Sequence, residues 1–216
     1  MRHPLDEKQH AIVKLLNKMG QEVERIFIGS MDCLRSLDRE KAAYWIQEDK
    51  IVNELERKVD DECVRLIATQ QPVAKDLRKI IAAMKISTDL ERMSDLAVDI
   101  AKVVQRIDGP LMKPLVDIPK MADLTVRMTR QGLESYIRED IVRARELASL
   151  DDEVDHLYNR VVRDLFELMG SNPQMINQGM YLAFVGRYIE RIADHATNLG
   201  ESVLYIATAD RNDLNS

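Results

Sequence analysis

The chain has 216 residues, of which 45% are hydrophobic, 31% charged and 5% aromatic, and its net charge at pH 7 is −6. This composition excludes a disordered chain and is typical of long helices. The diffuse acidic balance gives no electrostatic case for binding nucleic acid, and it argues weakly against an anionic membrane surface.

Proline, glycine and asparagine divide the chain into six helical stretches. Pro4 precedes the first stretch, and Pro72 restarts a helix after a break. The proline-rich segment that begins with residues 108–110 predicts a linker. Gly170 predicts a helix C-cap, and Asn172-Pro173 predicts a new helix start. The predicted helices cover about residues 5–34, 38–70, 72–107, 115–136, 139–169 and 173–209.

The apolar residues of the third and sixth helices repeat with the same spacing. Their steps alternate between four and three, and matched positions lie 99 residues apart. The matched sets are Ile86, Leu90, Met93, Ala97, Ile100, Val104 and Ile107, and Val185, Ile189, Ile192, Ala196, Leu199, Val203 and Ile206. Heptad-like spacing over long helices predicts nearly antiparallel packing.

We therefore predict an all-α fold, a tandem repeat of two three-helix bundles related by a pseudo-two-fold axis. The bundles correspond to residues 1–109 and 110–216. A single long coiled coil is disfavoured because the breaks recur about every 30 residues.

An acidic pattern with a four-residue step accompanies both apolar stripes. The third helix carries Glu91, Asp95 and Asp99, and the sixth carries Glu190, Asp194 and Asn198. On a helical wheel these residues lie roughly opposite the apolar seam, so we expect them to face outward. Like charges four residues apart repel slightly, and folding alone does not favour this pattern.

The second and fifth helices add matching steps, Asp49 with Asn53 and Asp151 with Asp155, 102 residues apart. Oxygen ligands on adjacent turns of neighbouring helices are suited to a hard or borderline metal ion. The pattern predicts a metal site in each half. Plain solvated charge explains the same residues and stays open at this point.

Three segments carry a family resemblance: QQPVAKDLRKI (70–80), LERMSDLAVDIAK (90–102) and IERIADHATNLGE (189–201). They resemble the signature segments of the PhoU family, and the resemblance covers nearly the whole chain. It implies a cytoplasmic negative regulator of the phosphate-starvation response. Such a regulator links the ATPase of a phosphate ABC transporter to a sensor histidine kinase, and we expect it to form a homodimer.

The resemblance also implies iron or zinc clusters bound at the duplicated acidic steps. Carried over, the implied ligands are Glu91, Asp95 and Asp49 in the first half, and Glu190, Asp194, Asp151 and Asp155 in the second. Asn53 stands opposite Asp155 in the repeat, and Asn198 stands opposite Asp99. An asparagine carbonyl can ligate a hard cation but brings no charge, so we expect the two sites to differ in affinity or nuclearity.

Two other functional classes are considered. A carboxylate-bridged metal enzyme is disfavoured, because the chain has no Glu-x-x-His motif and its acidic steps are expected to face outward. A metal-independent helical scaffold or adaptor remains the alternative. His195 has Leu96 as its counterpart, so a hydrogen-bonding role on the helix flank is favoured over metal ligation.

Cysteine content and the N-terminal segment favour a reducing compartment. Cys33 and Cys63 do not form a CxxC pair, and we interpret them as small core residues. The N-terminal segment lacks an apolar signal core, and no apolar run approaches the ~18 residues of a membrane span. We therefore expect a cytoplasmic protein with no membrane span.

Overall fold

The computed structural model describes residues 4–210 and Leu214, and within these it contains helices and no strand. The six α-helices are α1 (Pro4–Ser36), α2 (Arg39–Gln70), α3 (Ala74–Arg106), α4 (Asp117–Arg138), α5 (Ile141–Ser171) and α6 (Ile176–Thr208). A short 3-10 helix, Pro173–Met175, leads into α6. The all-α prediction is confirmed, and the predicted ends differ from the observed ends by a few residues.

The helices form two three-helix bundles, α1–α2–α3 and α4–α5–α6, which join through α3 against α6 and α1 against α4. The central pair α3 and α6 run antiparallel. Near one end Arg78 donates to the backbone oxygen of Ile206 at 3.2 Å, and nearer the middle Asp89 contacts His195. The outer helices α2 and α5 therefore each pack on one side of this central pair.

The same turn precedes the outer helix of each bundle. Asp38 caps α2 by accepting from the backbone of Lys41, and Asp140 caps α5 by accepting from two backbone amides. The residues before these caps, Leu37 and Glu139, have φ of 52° and 53°. The two turns lie 102 residues apart, so the repeat extends from the apolar pattern to the backbone conformation.

Gly170 is not a C-cap, contrary to the sequence prediction. The helix α5 continues through it to Ser171, and Asn172 is the cap residue, donating its backbone N–H to Leu168. Asn172 has φ of −138°. Since this cap is extended rather than left-handed, it does not require a glycine.

The seam predicted from the spacing forms the core of both bundles. All the matched apolar positions on α3 and α6 are buried, from Ile86 to Ile107 and from Val185 to Ile206. Cys33 and Cys63 are buried free thiols, as expected for core residues. In the described part of the chain, no helix has the length and apolar character that a membrane crossing needs.

A glycine lets α5 and α6 approach closely near the C-terminal end of α6. A Cβ placed on Gly200 would lie 2.8 Å from the backbone oxygen of Ala144 and 2.8 Å from a methyl carbon of Leu147. The backbone oxygen cannot rotate away as a side chain can. The two helices can therefore keep this spacing only with glycine at position 200.

We expect Gly200→Ala to destabilise the fold by about 1–3 kcal/mol, because the added methyl group overpacks the contact between α5 and α6. Gly170→Ala is the matched control, since a Cβ there meets nothing within 4 Å. The control should be neutral or slightly stabilising. Urea unfolding followed by circular dichroism measures both, and equal stability of the two variants would contradict the packing argument.

Candidate functional site

The first acidic cluster lies along the interface between α2 and α3 and consists of Asp49, Glu56, Glu91 and Asp95. Both oxygens of Asp49 are engaged: Ser94 Oγ donates to one at 2.7 Å, and Asn53 Nδ2 donates to the other at 3.0 Å. Burial raises the pKa of Asp95, and the charge of Asp49 raises it further. The outer and central helices therefore hold their carboxylates within electrostatic range of each other.

Glu91 lies in the middle of this cluster. Burial raises its pKa, and Asp95, Glu56 and Asp49 add to the rise. Arg92 opposes the rise and forms ion pairs with Glu91 at 3.4 Å and with Asp95 at 3.5 Å. One guanidinium thus offsets part of the repulsion among four carboxylates.

Glu56 is a member that the sequence reasoning missed. Its carboxylate accepts a hydrogen bond from Thr88 at 3.4 Å, and burial raises its pKa. Its place on α2, one turn beyond Asn53, is a signal that could have identified it. The comparison of halves concealed it, because its counterpart 102 residues later is Tyr158, whose ring lies against Gly186.

The second acidic cluster lies along the interface between α5 and α6 and consists of Asp151, Asp155, Glu190 and Asp194. Burial raises the pKa of Asp151 to about 6, and Asp194 and Asp155 add to the rise. Burial also raises the pKa of Glu190 to about 7, again with a contribution from Asp194. A hydrogen bond from Thr197 opposes the shift at Asp151. This cluster holds closely coupled carboxylates that resist ionisation.

One oxygen of Glu190 is left without a partner. Arg187 pairs with Oε1 of Glu190, whereas Oε2 is buried and accepts no hydrogen bond from the described residues. A buried polar atom without a partner costs about 1–3 kcal/mol. A cation placed at this oxygen would remove that cost.

The prediction that the acidic steps on α3 and α6 face outward is wrong for Glu91 and Glu190, whose side chains are only 14% and 12% exposed. Asp95 on α3 is partly exposed. On α5, Asp151 is buried at 7% and Asp155 is exposed. The wheel treats each helix alone, but α2 and α5 pack against the flanks of α3 and α6 and cover the inner members.

The third positions of the acidic steps on α3 and α6, Asp99 and Asn198, have different surroundings. Asp99 pairs with Lys102 at 2.8 Å, and its charge raises the pKa of the neighbouring Asp95. Asn198 instead donates its amide nitrogen to Asp89 of α3 at 3.0 Å. His195 contacts the same Asp89 oxygen at 2.9 Å, in agreement with the predicted hydrogen-bonding role.

Asp89 is thus a polar contact between the two bundles that the sequence reasoning missed. Its partners His195 and Asn198 lie more than 100 positions away along the chain. Its own counterpart in the repeat is Tyr188, so neither local spacing nor the duplication indicates the contact.

The donor chemistry of both clusters fits a hard or borderline cation, since carboxylate oxygens dominate each set. The orphaned Oε2 of Glu190 supports the fit in the second half. Within residues 4–210 and Leu214, however, no three His, Cys, Asp or Glu side chains are arranged as a ready-made set of metal ligands. Coordination would therefore need the carboxylates to rotate towards a common point.

Comparison with known proteins identifies the family to which the fold belongs. The family model described as "PhoU domain" matches residues 16–104 and residues 118–203, one match in each bundle. The chain belongs to the PhoU family. The two matches also account for the duplication, since each bundle is one PhoU domain.

Relatives in the PhoU family align over most of this chain. A protein of Clostridium acetobutylicum called "Phosphate-specific transport system accessory protein PhoU homolog" is 37% identical over 202 residues, 93% of this chain and 92% of the relative. A protein of the same name from Zymomonas mobilis is 36% identical, covering 94% of this chain and 86% of the relative.

Solved PhoU structures share the fold. The crystal structure of PhoU from Pseudomonas aeruginosa matches with a TM-score of 0.89 at 30% identity, covering 95% of this chain and 99% of that chain. The phosphate transport system regulatory protein PhoU from Streptococcus pneumoniae matches with a TM-score of 0.91 at 26% identity, covering 97% and 99%.

The raised pKa values predict how stability depends on pH in metal-free protein. Glu190 and Asp151 have ordinary values of 4.5 and 3.8, and folding raises them to about 7 and about 6. The folded state therefore holds more protons than the unfolded state between about pH 4 and 7. The contribution of these two groups to the free energy of unfolding is largest below the ordinary values and falls as the pH rises through this window.

We expect Glu190→Gln to weaken this fall, because an amide does not ionise. At pH 8 the variant should be more stable than the wild type by about 1–3 kcal/mol. Urea unfolding between pH 4.5 and 8 in the presence of EDTA measures the effect. Glu153→Gln, at an exposed position on α5, is the control. An unchanged pH dependence in Glu190→Gln would contradict the pKa assignment.

Proposed function

We propose that this chain is a cytoplasmic accessory regulator of phosphate transport that binds metal ions, iron or zinc, at its two acidic clusters. The observation that carries the metal-binding part is Oε2 of Glu190, buried without a hydrogen-bond partner beside carboxylates that repel it. The regulatory part rests on the family and on the names of its relatives, which describe accessory and regulatory proteins of phosphate transport.

In the second cluster Asp151 and Asp155 would bind from α5, and Glu190 and Asp194 would bind from α6. In the first half the ligands would be Asp49 from α2 and Glu91 and Asp95 from α3, with Asp99 one turn further along α3 as an additional ligand. A bound metal ion would supply positive charge that offsets the repulsion among these carboxylates. The carboxylates of each cluster come from two helices, so ligation would join an outer helix to a central one.

The second cluster also lies next to the junction of the bundles. Asp194 is adjacent to His195, which contacts Asp89 of α3 at 2.9 Å. Asn198, one turn beyond Asp194, donates to the same Asp89. A shift of this part of α6 on metal binding would therefore act directly on the polar contact that links α6 to α3.

We propose that the regulatory partners are the ATPase of a phosphate ABC transporter and a sensor histidine kinase. In this proposal the protein acts as a homodimer and represses the phosphate-starvation response when phosphate is plentiful. The proposed role is binding and transmission rather than catalysis. It is supported by the membership of the PhoU family.

A metal-independent adaptor is the second candidate, and one observation favours it. In the described part of the chain no three potential ligands are preassembled around a point. In that case the clusters would serve as acidic docking faces, and partner binding would not depend on metal. Measurements of metal content distinguish the two candidates.

We expect the untagged protein to bind iron or zinc and to lose it stepwise when the ligands are replaced. Glu190→Gln/Asp194→Asn should remove the metal bound at the second cluster. Glu91→Gln/Asp95→Asn should remove the metal bound at the first cluster. The combined variant should retain at least tenfold less metal than the wild type. Plasma mass spectrometry and titration calorimetry measure content and affinity.

Glu153→Gln/Glu167→Gln is the matched control, because both residues are exposed on α5 outside the cluster. It should keep the full metal content. If the combined variant retains the metal of the wild type, or if the wild type takes up none, metal ligation is wrong and the adaptor candidate stands.

The regulatory role predicts a phenotype in cells grown in ample phosphate. Deleting the gene should switch on a reporter of the phosphate-starvation response, and the wild-type gene should silence it again. The metal-free combined variant should fail to silence it although it folds. A reporter that stays silent in the deletion strain would refute the regulatory proposal.

A further inference from the structure

A cavity lies where four helices of the two bundles meet. Its walls come from α1 and α3 of the first bundle and from the ends of α4 and α6 of the second, and it is partly open to solvent. Its volume is about 190 Å³, the space that about six water molecules fill in the liquid. The aliphatic side chains in its wall are Ile12, Val13, Ile80, Ala83, Ile137 and Ile206. A mostly apolar pocket between helices is a common form of ligand site.

The apolar wall has a closed floor and an accessible edge. Ile12, Ile80 and Ile206 are at most 2% exposed, whereas Ile137 on α4 is 40% exposed. The ring of Tyr136 is 8% exposed and completes the wall, and its hydroxyl donates to a backbone oxygen of α3 at 3.3 Å. An apolar group that enters beside Ile137 would therefore leave water and cover the isoleucines of the floor, which is favourable.

The corresponding place in the other half of the chain is filled by the linker. Met112 of the linker reaches Gly179, the counterpart of Ile80, and a Cβ on that glycine would lie 3.4 Å from the methyl carbon of Met112. Gln178, the counterpart of Lys79, accepts from the backbone of Met112 and donates to a backbone oxygen two residues earlier. The linker is thus packed against this wall and hydrogen-bonded to it.

In the first half a helix takes the place of the linker. Residues 6–14 lie 102 positions before the linker residues 108–116, and they belong to α1. A helix keeps its backbone on a cylinder and cannot follow the wall as an irregular segment does. The space that Met112 fills in one half is therefore left open in the other, so the duplication itself does not require the cavity.

The charged groups beside the cavity sum to one positive charge. Lys75 and Lys79 of α3 pair with Glu139, each with a different carboxylate oxygen and each at 2.5 Å. The same two turns of α3 carry Asp76 and Arg78, whose charges offset each other. Three cations thus face two carboxylates. Lys79 also lines the cavity, so an anion at its mouth would be attracted and a cation repelled.

We propose that this cavity binds an amphiphile with one anionic head group and an unbranched alkyl chain. The chain would lie against the isoleucines of the floor, and the head group would contact Lys79 and Lys75. The volume and the apolar wall suit the chain, and the head group supplies the negative charge that the mouth lacks. The ligand would touch α1, α3, α4 and α6 together and would add contacts between the bundles. This site is separate from the acidic clusters and does not depend on the proposed function.

Titration calorimetry of the full chain with octanoate in EDTA, below the concentration at which octanoate forms micelles, tests the proposal. We expect one site with a Kd on the order of 0.1–1 mM, given the affinity that ligands of this size reach per heavy atom. Octylamine has the same chain with the opposite charge and should bind at least tenfold more weakly. Acetate and inorganic phosphate lack the chain and should also bind at least tenfold more weakly.

Two variants locate the site. Lys79→Gln removes a head-group contact and Val13→Phe fills the cavity with a ring, so each should weaken octanoate binding at least tenfold. The matched controls are Lys58→Gln, exposed on α2, and Ile28→Phe, at a position that is 41% exposed further along α1. Both controls should bind like the wild type. Circular dichroism checks that each variant is helical, and Ile137→Trp replaces Val13→Phe if the latter does not fold.

Octyl phosphate distinguishes the two head groups that share this chemistry. Tighter binding of octanoate would assign a carboxylate and tighter binding of octyl phosphate a phosphate monoester, and either result supports the site. The inference is overturned if the wild type binds neither compound, or if octylamine or inorganic phosphate binds as tightly as they do. It also fails if Lys79→Gln and Val13→Phe bind octanoate like the wild type.

Discussion

The apolar seam on α3 and α6 is the constraint on which the rest of the structure depends. Its alternating steps of four and three bury one side of each central helix from Ile86 to Ile107 and from Val185 to Ile206. Burial of that side leaves two flanks on each helix. One flank receives the outer helix α2 or α5, and the other receives the opposite central helix. The flank on which a polar residue of α3 or α6 lies determines which neighbouring helix that residue faces.

The acidic clusters cost folding free energy, and the burial of the apolar seam offsets that cost. A bundle with an extensive apolar core can tolerate several carboxylates held between a central and an outer helix. The cost is visible in the raised pKa values of Glu190 and Asp151 and in the unpartnered oxygen of Glu190. The first cluster is milder, because Ser94 and Asn53 donate to Asp49 and Arg92 pairs with Glu91. Both clusters are therefore strained by charge, and the second is strained more.

Much of the fold could be predicted from the sequence, because the information is local or periodic. Helix number, approximate ends and the seam follow from spacing and from proline breaks, and the duplication follows from matched positions 99 residues apart. The exposure of Glu91 and Glu190 could not be predicted, since it depends on how closely α2 and α5 cover the flanks. Asp89 could not be predicted either, because its partners come from the other bundle. Glu56 was missed for a different reason, since the comparison of halves directs attention only to residues that both halves share.

Tyr158 occupies the position on α5 that Glu56 occupies on α2, and its ring lies against Gly186. The aromatic ring ends the second cluster on that side, whereas in the first cluster the carboxylates continue along α2 through Glu56. The two halves therefore differ in what borders each cluster. An ion bound in the first cluster would have a further carboxylate, Glu56, beside it on α2, whereas an ion bound in the second would have the ring of Tyr158 on the corresponding side.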